Sequence, residues 1–259
     1  MHVFDQKKEL ISFLLDSRME NQTVGLVPTM GALHQGHLSL VKTALDQNEI
    51  VVVSIFVNPT QFDKKDDLEK YPRTMDSDLS LLNKVSENLI VFTPSESEMY
   101  DGEVASESYD FEGLDKVMEG EFRDGHFDGV GTIVELLLRT VSPDRAYFGE
   151  KDFQQLQIIK KMVQLKSLPY QIVPCPIERE PHGLAMSSRN ERLSKMVRNE
   201  AGFIHKTLEA AKTKFGTESA NHIADWVSNQ FKENKHFELE YFEIADEDTL
   251  TPVSKKQEN

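Results

Sequence analysis

The chain has 259 residues, enough for one large domain or two modest ones. Its 29 Lys and Arg against 44 Asp and Glu give a formal net charge of −15, opposite in sign to most nucleic-acid-binding proteins. The single cysteine, Cys175, excludes an internal disulfide and suits a reducing compartment. No apolar run is long enough to cross a bilayer, and the first ten residues lack the apolar region of a signal peptide. We therefore expect a cytoplasmic enzyme that acts on small molecules and binds neither nucleic acid nor membranes.

Helical and strand patterns alternate through the first two thirds of the sequence. Helical spacing predicts helices over residues 7–18, 76–85, 129–140 and 153–165, and one that begins at residue 37. Short apolar runs predict strands over 24–27, 50–57, 89–93, 144–148 and 171–175. Pro28 is expected to end the first strand, because proline cannot donate to a sheet ladder. The alternation predicts an α/β fold with a parallel sheet covered by helices on both faces.

A change of composition near three prolines, Pro174, Pro176 and Pro181, predicts a domain boundary. We expect a first domain over residues 1–176 and a smaller α+β domain over 177–259. The second domain is predicted to contain helices over 195–215 and 218–233 and a strand over 237–245. Two polar stretches, 63–70 and 95–121, are expected to be a solvated segment and a surface excursion.

The sequence is organised around one stretch, VGLVPTMGALHQGH at residues 24–37, which predicts a strand, a glycine loop and a helix. The first turn of a helix has unpaired N–H groups and a partial positive charge, so it attracts phosphate. Gly31 and Gly36 let a bulky anion approach the backbone. His34 and His37 are three residues apart, so both imidazoles can face the same side. This H-x-G-H pattern is typical of nucleotidylyl transferases, which bind ATP and promote attack on its α-phosphorus; plain capping or core histidines are the alternative.

Other polar residues follow further predicted strands, where open α/β sheets bind their ligands. Lys151 can reach a triphosphate there, or pair with Asp152 on the surface. Gln61 and Gln155 suit the hydroxyls and carboxylate of a small polar substrate, or are surface glutamines. The segment MSSR at 186–189 offers hydroxyls and a guanidinium suited to β- and γ-phosphates, whereas a helix cap would explain only its serines.

Anion and metal candidates are weaker. Arg123 and His126 are candidates for gripping an anion, although His126 is equally explained as a satisfied histidine beside Phe127. Asp76 and Asp78 are weak metal candidates, because acidic helix starts are common. ATP reacts as its magnesium complex, and phosphate oxygens and waters can supply most ligands of that ion. We therefore expect ATP and Mg²⁺ and assign no protein ligand to the metal.

Six segments together resemble one family: PTMGALHQGH (28–37), VVVSIFVNPTQF (51–62), YPRT (71–74), GHFDGV (125–130), FGEKDFQQL (148–156) and REPHGLAMSSRN (179–190). In order and spacing they resemble the pantothenate synthetase, or pantoate–β-alanine ligase, family. The resemblance implies a Rossmann-like ATP- and pantoate-binding domain, a small C-terminal lid and a homodimer. It also implies ATP-dependent condensation of (R)-pantoate with β-alanine through a pantoyl-adenylate, releasing pyrophosphate and AMP, in the synthesis of a coenzyme A precursor.

The resemblance also implies roles for individual residues. It makes His37 the acid/base residue and His34 its phosphate partner, with Lys151 as a third catalytic group. It places Gln61 and Gln155 at pantoate, and Gln61 also at β-alanine. The implied ATP-binding residues are Met30, Gly31, Ala32, Leu33, His34, Gln35, Gly36, His37, Gly149, Glu150, Lys151, Asp152, Glu178, Met186, Ser187, Ser188 and Arg189.

The sequence departs from the family pattern in places. Asp124 stands where the family usually has proline, His182 where it has aspartate, and Ser77 interrupts an acidic cluster. The family usually closes with another apolar strand, so we expect the lid to lack its last strand.

Three rival functions fit the sequence less well. Another H-x-G-H enzyme, adenylylating phosphopantetheine or nicotinate ribotide, is disfavoured by the NPTQF segment at 58–62. A tRNA synthetase would need a basic surface. A nucleotide-sensing protein that catalyses no reaction would not need residues suited to a second substrate, such as Gln61 and Gln155.

Overall fold

The computed structural model describes residues 1–62, 65–100 and 102–253. The chain divides into two compact units, Met1–Glu178 and Arg179–Asn259. The division lies two residues beyond the boundary expected from the prolines, and the role of the second unit as a lid stays a prediction. No helix among the described residues is long and apolar enough to cross a membrane.

The first unit contains one parallel sheet. Its strands are β1 (His2–Phe4), β2 (Val24–Thr29), β3 (Ile50–Ile55), β4 (Ile90–Phe92), β5 (Arg145–Gly149) and β6 (Gln171–Cys175). Their order is β1-β4-β3-β2-β5-β6, and every neighbouring pair is parallel. The predicted α/β class is confirmed. The edge strand β1 was not predicted, because three residues are too few to show a pattern.

Helices cover both faces of this sheet. The helices of the first unit are α1 (Lys7–Met19), α2 (Gln35–Gln47), α3 (Lys65–Glu69), α4 (Met75–Val85), α5 (Glu96–Met99), α6 (Glu119–Phe122), α7 (His126–Val141) and α8 (Phe153–Leu165). Successive strand side chains point to opposite faces. Val27 and Val53 pack in one core with α2 and α4, while Leu26 and Val52 are fully buried on the other face, where α7 contacts β2.

Pro28 does not end its strand, contrary to the sequence-based prediction. It lies inside β2 and pairs in register with Ser54 of β3. The carbonyl of Thr29 accepts a hydrogen bond from the N–H of Phe56 at 3.0 Å, so Thr29 faces β3 and Pro28 faces the other neighbour, β5. Pairing between β2 and β5 stops at Leu26 and Ala146, so the missing donor of Pro28 costs no ladder hydrogen bond.

Because the pairing between β2 and β5 ends early, a gap forms between the carboxyl ends of these two strands. Strands β3 and β4 lie on one side of β2, and β5 and β6 lie on the other, so the strand order reverses between β2 and β5. Both strands continue beyond their last shared pair, to Thr29 and to Gly149. Ligands of open α/β sheets bind outside the carboxyl ends of strands at such a reversal.

The stretch over residues 95–121 is more than the expected surface excursion. Its buried apolar residues are Met99, Tyr100, Tyr109, Phe111 and Leu114. The buried Glu135 of α7 accepts a hydrogen bond from the Tyr109 hydroxyl at 2.8 Å. The sequence-based interpretation was wrong because widely spaced apolar residues in an irregular segment show no period, yet can still pack into a core. In the other polar stretch, residues 63–64 lie outside the described residues, and α3 is short.

The second unit contains α9 (Lys195–Glu200), α10 (Gly202–Lys214) and α11 (Ala220–Glu233). The single helix predicted over 195–215 is divided at Ala201. The strand predicted over 237–245 forms no ladder: within residues 179–253 the β pairing consists of isolated bridges, Arg179 with Ala185 and Ala245 with Pro252. Leu239 packs instead on a small core formed by α10 and α11, which satisfies its apolar pattern without a partner strand.

Candidate active site

Most of the predicted site residues of the first unit follow three adjacent strands. The H-x-G-H loop follows β2, the 3₁₀ turn Pro59–Gln61 follows β3, and the 3₁₀ turn Glu150–Asp152 follows β5. Since these strands are parallel and neighbours in the order β3-β2-β5, their carboxyl ends meet at one edge of the sheet. The fold therefore brings three sequence segments, separated by up to about 120 residues, to one edge.

His34 and His37 lie side by side at the start of α2. Their ring centroids are 4.0 Å apart. The Nδ1 atom of His34 accepts a hydrogen bond from the N–H of Gly36 at 3.1 Å, and the Nδ1 atom of His37 accepts one from the N–H of His34 at 3.3 Å. The two rings therefore cap the helix, and they do so through Nδ1 alone. Neither Nε2 has a hydrogen-bond partner within the described part of the chain.

Both imidazoles are neutral at pH 7. Burial above all, then the nearby His34 and the positive charge of Lys151, together lower the pKa of His37 to about 3. Burial, followed by the charge of Lys151, also lowers the pKa of His34. A neutral ring whose Nδ1 accepts a hydrogen bond carries its proton on Nε2. Each histidine thus presents an Nε2–H donor, not a cation.

The donors of the glycine loop are used differently from the sequence-based expectation. In the first turn of α2 the N–H of Gly36 donates to the His34 ring, and the N–H of His37 donates to the His34 carbonyl at 2.9 Å. In the loop itself, the N–H groups of Ala32 and Leu33 donate to the carboxylate of Asp78. The Leu33 side chain is part of the core. Four of the backbone donors that were expected to bind phosphate, those of Ala32, Leu33, Gly36 and His37, already have acceptors, and the two Nε2–H groups are side-chain donors at the same helix start.

The depressed pKa of His37 predicts a pH dependence of stability. The unfolded chain binds a proton at this ring below its ordinary pKa of 6.5, whereas the folded chain resists protonation down to about 3. The contribution of His37 to the free energy of unfolding is therefore fully present above pH 6.5 and is lost as the pH falls towards 3, by at most about 1.4 kcal/mol per pH unit.

Urea unfolding midpoints at pH 7.0 and 4.5 test this pH dependence. His37→Gln is expected to reduce the difference between the two midpoints. His222→Gln serves as the control, because the His222 side chain is 72% exposed, and it should leave the difference as in the wild type. An equal difference in all three proteins would contradict the assignment.

Lys151 forms the surface pair with Asp152 that was one of the two arrangements considered for it, and its contact with a triphosphate stays a prediction. Its ammonium contacts the Asp152 carboxylate at 2.9 Å, in an ion pair whose side chains are 38% and 59% exposed. The same ammonium lies close enough to lower the pKa of both histidines. Exposed ion pairs of this kind contribute about 0–1 kcal/mol, so little opposes exchange of Asp152 for a phosphate.

Gln61 is buried at the end of its 3₁₀ turn, and its backbone is held by two side chains from the region of α7. The carbonyl of Gln61 accepts hydrogen bonds from His126 Nδ1 at 2.7 Å and from Arg123 at 3.2 Å. The Arg123 guanidinium also lies 3.1 Å from His126 Nε2. These two residues, which the sequence suggested as anion ligands, fix the position of Gln61 in this structure.

The turn that carries Gln61 is fixed further by Asn58, Tyr100 and Gly129, to which the sequence-based interpretation gave no individual role. Asn58 is fully buried; its amide donates to the carbonyl of Gly129 at 3.2 Å, and its oxygen accepts from the Tyr100 hydroxyl at 2.5 Å. A Cβ atom on Gly129 would lie 2.2 Å from the carbonyl oxygen of Thr60, so only glycine permits this approach of α7. The presence of Asn58 directly before Pro59 was the available signal.

Gln155 and Gln154 are adjacent in α8 but differ in role. The buried Gln154 side chain donates to the carbonyls of Leu114 and Val117 and accepts from the N–H of Glu119. Gln155 is partly buried, and its amide makes no hydrogen bond with any residue in the described ranges. The side-chain amide of Gln61 is likewise without a partner there. Gln154 is therefore committed to structure, whereas the two predicted ligand glutamines keep their amides available.

The remaining predicted residues are distributed between the units. Glu178 is exposed beyond β6, the edge strand next to β5. In the second unit, the hydroxyl of Ser187 accepts from the N–H of Arg189 at 3.2 Å, at the start of the 3₁₀ helix Ser188–Arg192. Asn190, which follows this motif, is buried and donates to Glu180 at 2.9 Å. The MSSR segment is thus anchored at its C-terminal end.

Comparisons with known proteins identify the family of this chain. A family model described as Pantoate-beta-alanine ligase matches residues 2–259. A curated protein named Pantothenate synthetase, from Christiangramia forsetii, is 56% identical over 257 residues, which are 99% of this chain and 91% of that protein.

Two solved structures are also similar. The crystal structure of pantothenate synthetase from Thermus thermophilus has a TM-score of 0.89 at 37% identity and covers 99% of this chain and 91% of that one. A pantoate-beta-alanine ligase from Francisella tularensis, complexed with beta-gamma ATP and beta-alanine, has a TM-score of 0.76 at 35% identity, covering 89% and 86%. The chain therefore belongs to the pantoate–β-alanine ligase family, whose members are enzymes that form an amide bond.

Proposed function

We propose that this chain condenses (R)-pantoate with β-alanine at the expense of ATP, through a pantoyl-adenylate, with release of pyrophosphate and AMP. The observation that carries the proposal is the neutral pair His34 and His37, with two Nε2–H donors beside the Lys151 ammonium, at the reversal of strand order. The free amides of Gln61 and Gln155 follow the two strands that flank β2.

In the first step, a carboxylate oxygen of pantoate attacks the α-phosphorus of ATP, and the bond from that phosphorus to the bridging oxygen of pyrophosphate breaks. Negative charge moves onto pyrophosphate and the oxygens around the α-phosphorus. We propose that the Nε2–H groups of His34 and His37 and the Lys151 ammonium stabilise this charge. A ring with a pKa of about 3 is a weak base, so we assign His37 a donor role in place of the acid/base role expected from the resemblance.

In the second step, the β-alanine amine attacks the carbonyl carbon of the mixed anhydride. The bond between that carbon and the bridging phosphate oxygen breaks, AMP leaves with this oxygen, and the nitrogen gives a proton to water as the amide forms. We propose that Gln61 and Gln155 hold pantoate through both steps and that Gln61 also borders β-alanine. Positioning of the two reactants accounts for most of the acceleration in such a step.

Further residues and Mg²⁺ belong to the same proposal. Besides the histidines and Lys151, we assign ATP binding to the loop residues 30–36, to Gly149, Glu150 and Asp152, and, in the second unit, to the motif at 186–189; Glu178 is assigned to the adenine side. Among the described residues no group of three or more His, Cys, Asp or Glu can hold a metal ion. We therefore propose that Mg²⁺ arrives as the MgATP complex, ligated by phosphate oxygens and water. A homodimer in the cytoplasm remains our prediction.

An assay of AMP release tests the reaction. We expect AMP release and repeated turnover only when ATP, pantoate and β-alanine are all present, and a single turnover of pyrophosphate release with ATP and pantoate alone. Release of ADP, or AMP formation that does not depend on pantoate, would refute the proposal. A transfer of AMP onto phosphopantetheine or nicotinate ribotide would favour the rival H-x-G-H enzymes.

The pantoate role of the two glutamines predicts a selective loss. Gln61→Ala or Gln155→Ala is expected to weaken pantoate binding by about 1–3 kcal/mol, because the substrate's polar group is left unpaired, while ATP binding changes little. Calorimetry with each ligand provides the measurement. Gln164→Ala, an exposed glutamine on the same helix as Gln155, is the control. Equal losses for ATP and pantoate would move these residues out of the pantoate pocket.

A further inference from the structure

The glycine loop before α2 rests on a buried carboxylate from a distant part of the chain. Asp78 lies in the first turn of α4 and is 2% exposed. One of its carboxylate oxygens accepts from the N–H of Ala32 at 2.9 Å, and the other accepts from the N–H of Leu33 at 2.8 Å. The hydroxyl of Thr74 donates to the second oxygen at 3.2 Å. Both oxygens are therefore engaged by donors of the loop and of Thr74.

The loop needs such an acceptor because its conformation is costly. Gly31 and Ala32 both have positive φ, of 79° and 49°. Ala32 carries a Cβ, and left-handed backbone is uncommon for such a residue. A Cβ on Gly31 would lie 3.1 Å from a carboxylate oxygen of Asp78, so glycine is also required by the closeness of that group. Two successive N–H groups turned towards one anion stabilise the strained turn.

The loop ends where the proposed chemistry begins. Its first residues are held by Thr29, whose hydroxyl accepts from the N–H of Gly31 at 3.2 Å and donates to the carbonyl of Ser54 at 2.7 Å. The residue after Leu33 is His34, which caps α2 and contacts His37. The orientation of both Nε2–H donors therefore depends on how residues 31–33 are held.

We propose that Asp78 is a positioning residue that occupies the loop's backbone donors in place of a phosphate, so that the glycine loop is already formed before nucleotide binds. The inference rests on the proposed function for its consequence in catalysis, but the state of the loop is independent of the reaction. The YPRT segment at 71–74 then has a structural role, because the hydroxyl of its Thr74 donates a hydrogen bond to Asp78. The glycine loop then serves to orient His34 and His37, and Ala32 and Leu33 line the ATP site while their N–H groups stay hydrogen-bonded to Asp78.

Amide hydrogen exchange in the absence of substrates tests the loop itself. In the wild type, the amides of Ala32 and Leu33 are expected to be protected without nucleotide, with little change when MgATP is added. Asp78→Asn keeps the shape but turns an NH₂ group towards one of the two donors, so exchange at one or both amides should rise by about tenfold or more. Asp78→Ala should raise it at both. Asp76→Asn, exposed in the same helical turn, is the matched control and should leave exchange unchanged.

Kinetics then separate positioning from general destabilisation. Asp78→Asn is expected to raise KM for ATP by about tenfold and to lower kcat, while KM for pantoate stays within about twofold of the wild type. Wild-type exchange at Ala32 and Leu33 in both Asp78 variants would overturn the inference. So would an equal rise in both KM values accompanied by faster exchange at Val52 in the sheet, which would mark Asp78 as merely structural. If AMP formation failed in the wild type while the exchange results held, the proposed function would fall and the loop inference would stand.

Discussion

Replacing His37 with alanine is expected to lower kcat for adenylate formation by ~10²-fold or more, the usual effect of removing a group that stabilises charge in a transition state. The reason lies in the Nε2–H donor of a neutral ring, which burial and the neighbouring His34 and Lys151 keep uncharged. Single-turnover release of pyrophosphate from ATP and pantoate is the measurement, because it isolates the first step.

Two further substitutions separate the capping and catalytic roles of His37. The oxygen of His37→Asn can reach the position of Nδ1 and accept from the N–H of His34, but the side chain supplies no donor at the position of Nε2. His37→Gln reaches further and can place an N–H there. We expect His37→Asn to keep the stability of the wild type but to be as slow as His37→Ala in adenylate formation. His37→Gln should retain part of the wild-type rate of adenylate formation. A single-turnover rate unchanged in His37→Ala would remove this residue from the mechanism.

Replacing Lys151 with alanine is expected to lower kcat by ~10²–10³-fold, since a cation that stabilises the charge developing on the phosphates is lost. Arginine at the same position should restore the charge but only part of the rate, because its planar fork differs from a compact ammonium. Lys160→Ala, an exposed lysine in α8, is the matched control for the change in net charge.

The Lys151→Ala variant can also be tested without turnover, through the pKa values of the two histidines. Lys151 lowers the pKa of both His34 and His37 in the free protein, so its removal should raise both values. Titration of the imidazole resonances by NMR measures this shift. Unchanged histidine titration in Lys151→Ala would mean that the ammonium stays with Asp152, away from the pair, and would contradict its place in the site.

Much of the first unit could be read from local patterns. The β5, α8 and β6 segments appear within a residue or so of where their apolar periods predict them, because burial on a sheet or helix imposes those periods directly. The strand–loop–helix unit of β2 and α2 was recognisable for the same reason. Local reasoning failed at Pro28, whose effect depends on which neighbouring strand it faces.

The sequence by itself determined the α/β class, the H-x-G-H loop and a set of candidate residues at the ends of strands. The tertiary structure decided what those residues can do. Asp78 reaches the loop from 45 residues away, and His126 reaches the Gln61 carbonyl from 65 residues away. Burial likewise decided that both loop histidines are neutral donors. Hydrogen-bond partners and desolvation depend on which distant segments the fold brings together, and the period of a sequence records only which side of its own element a residue faces.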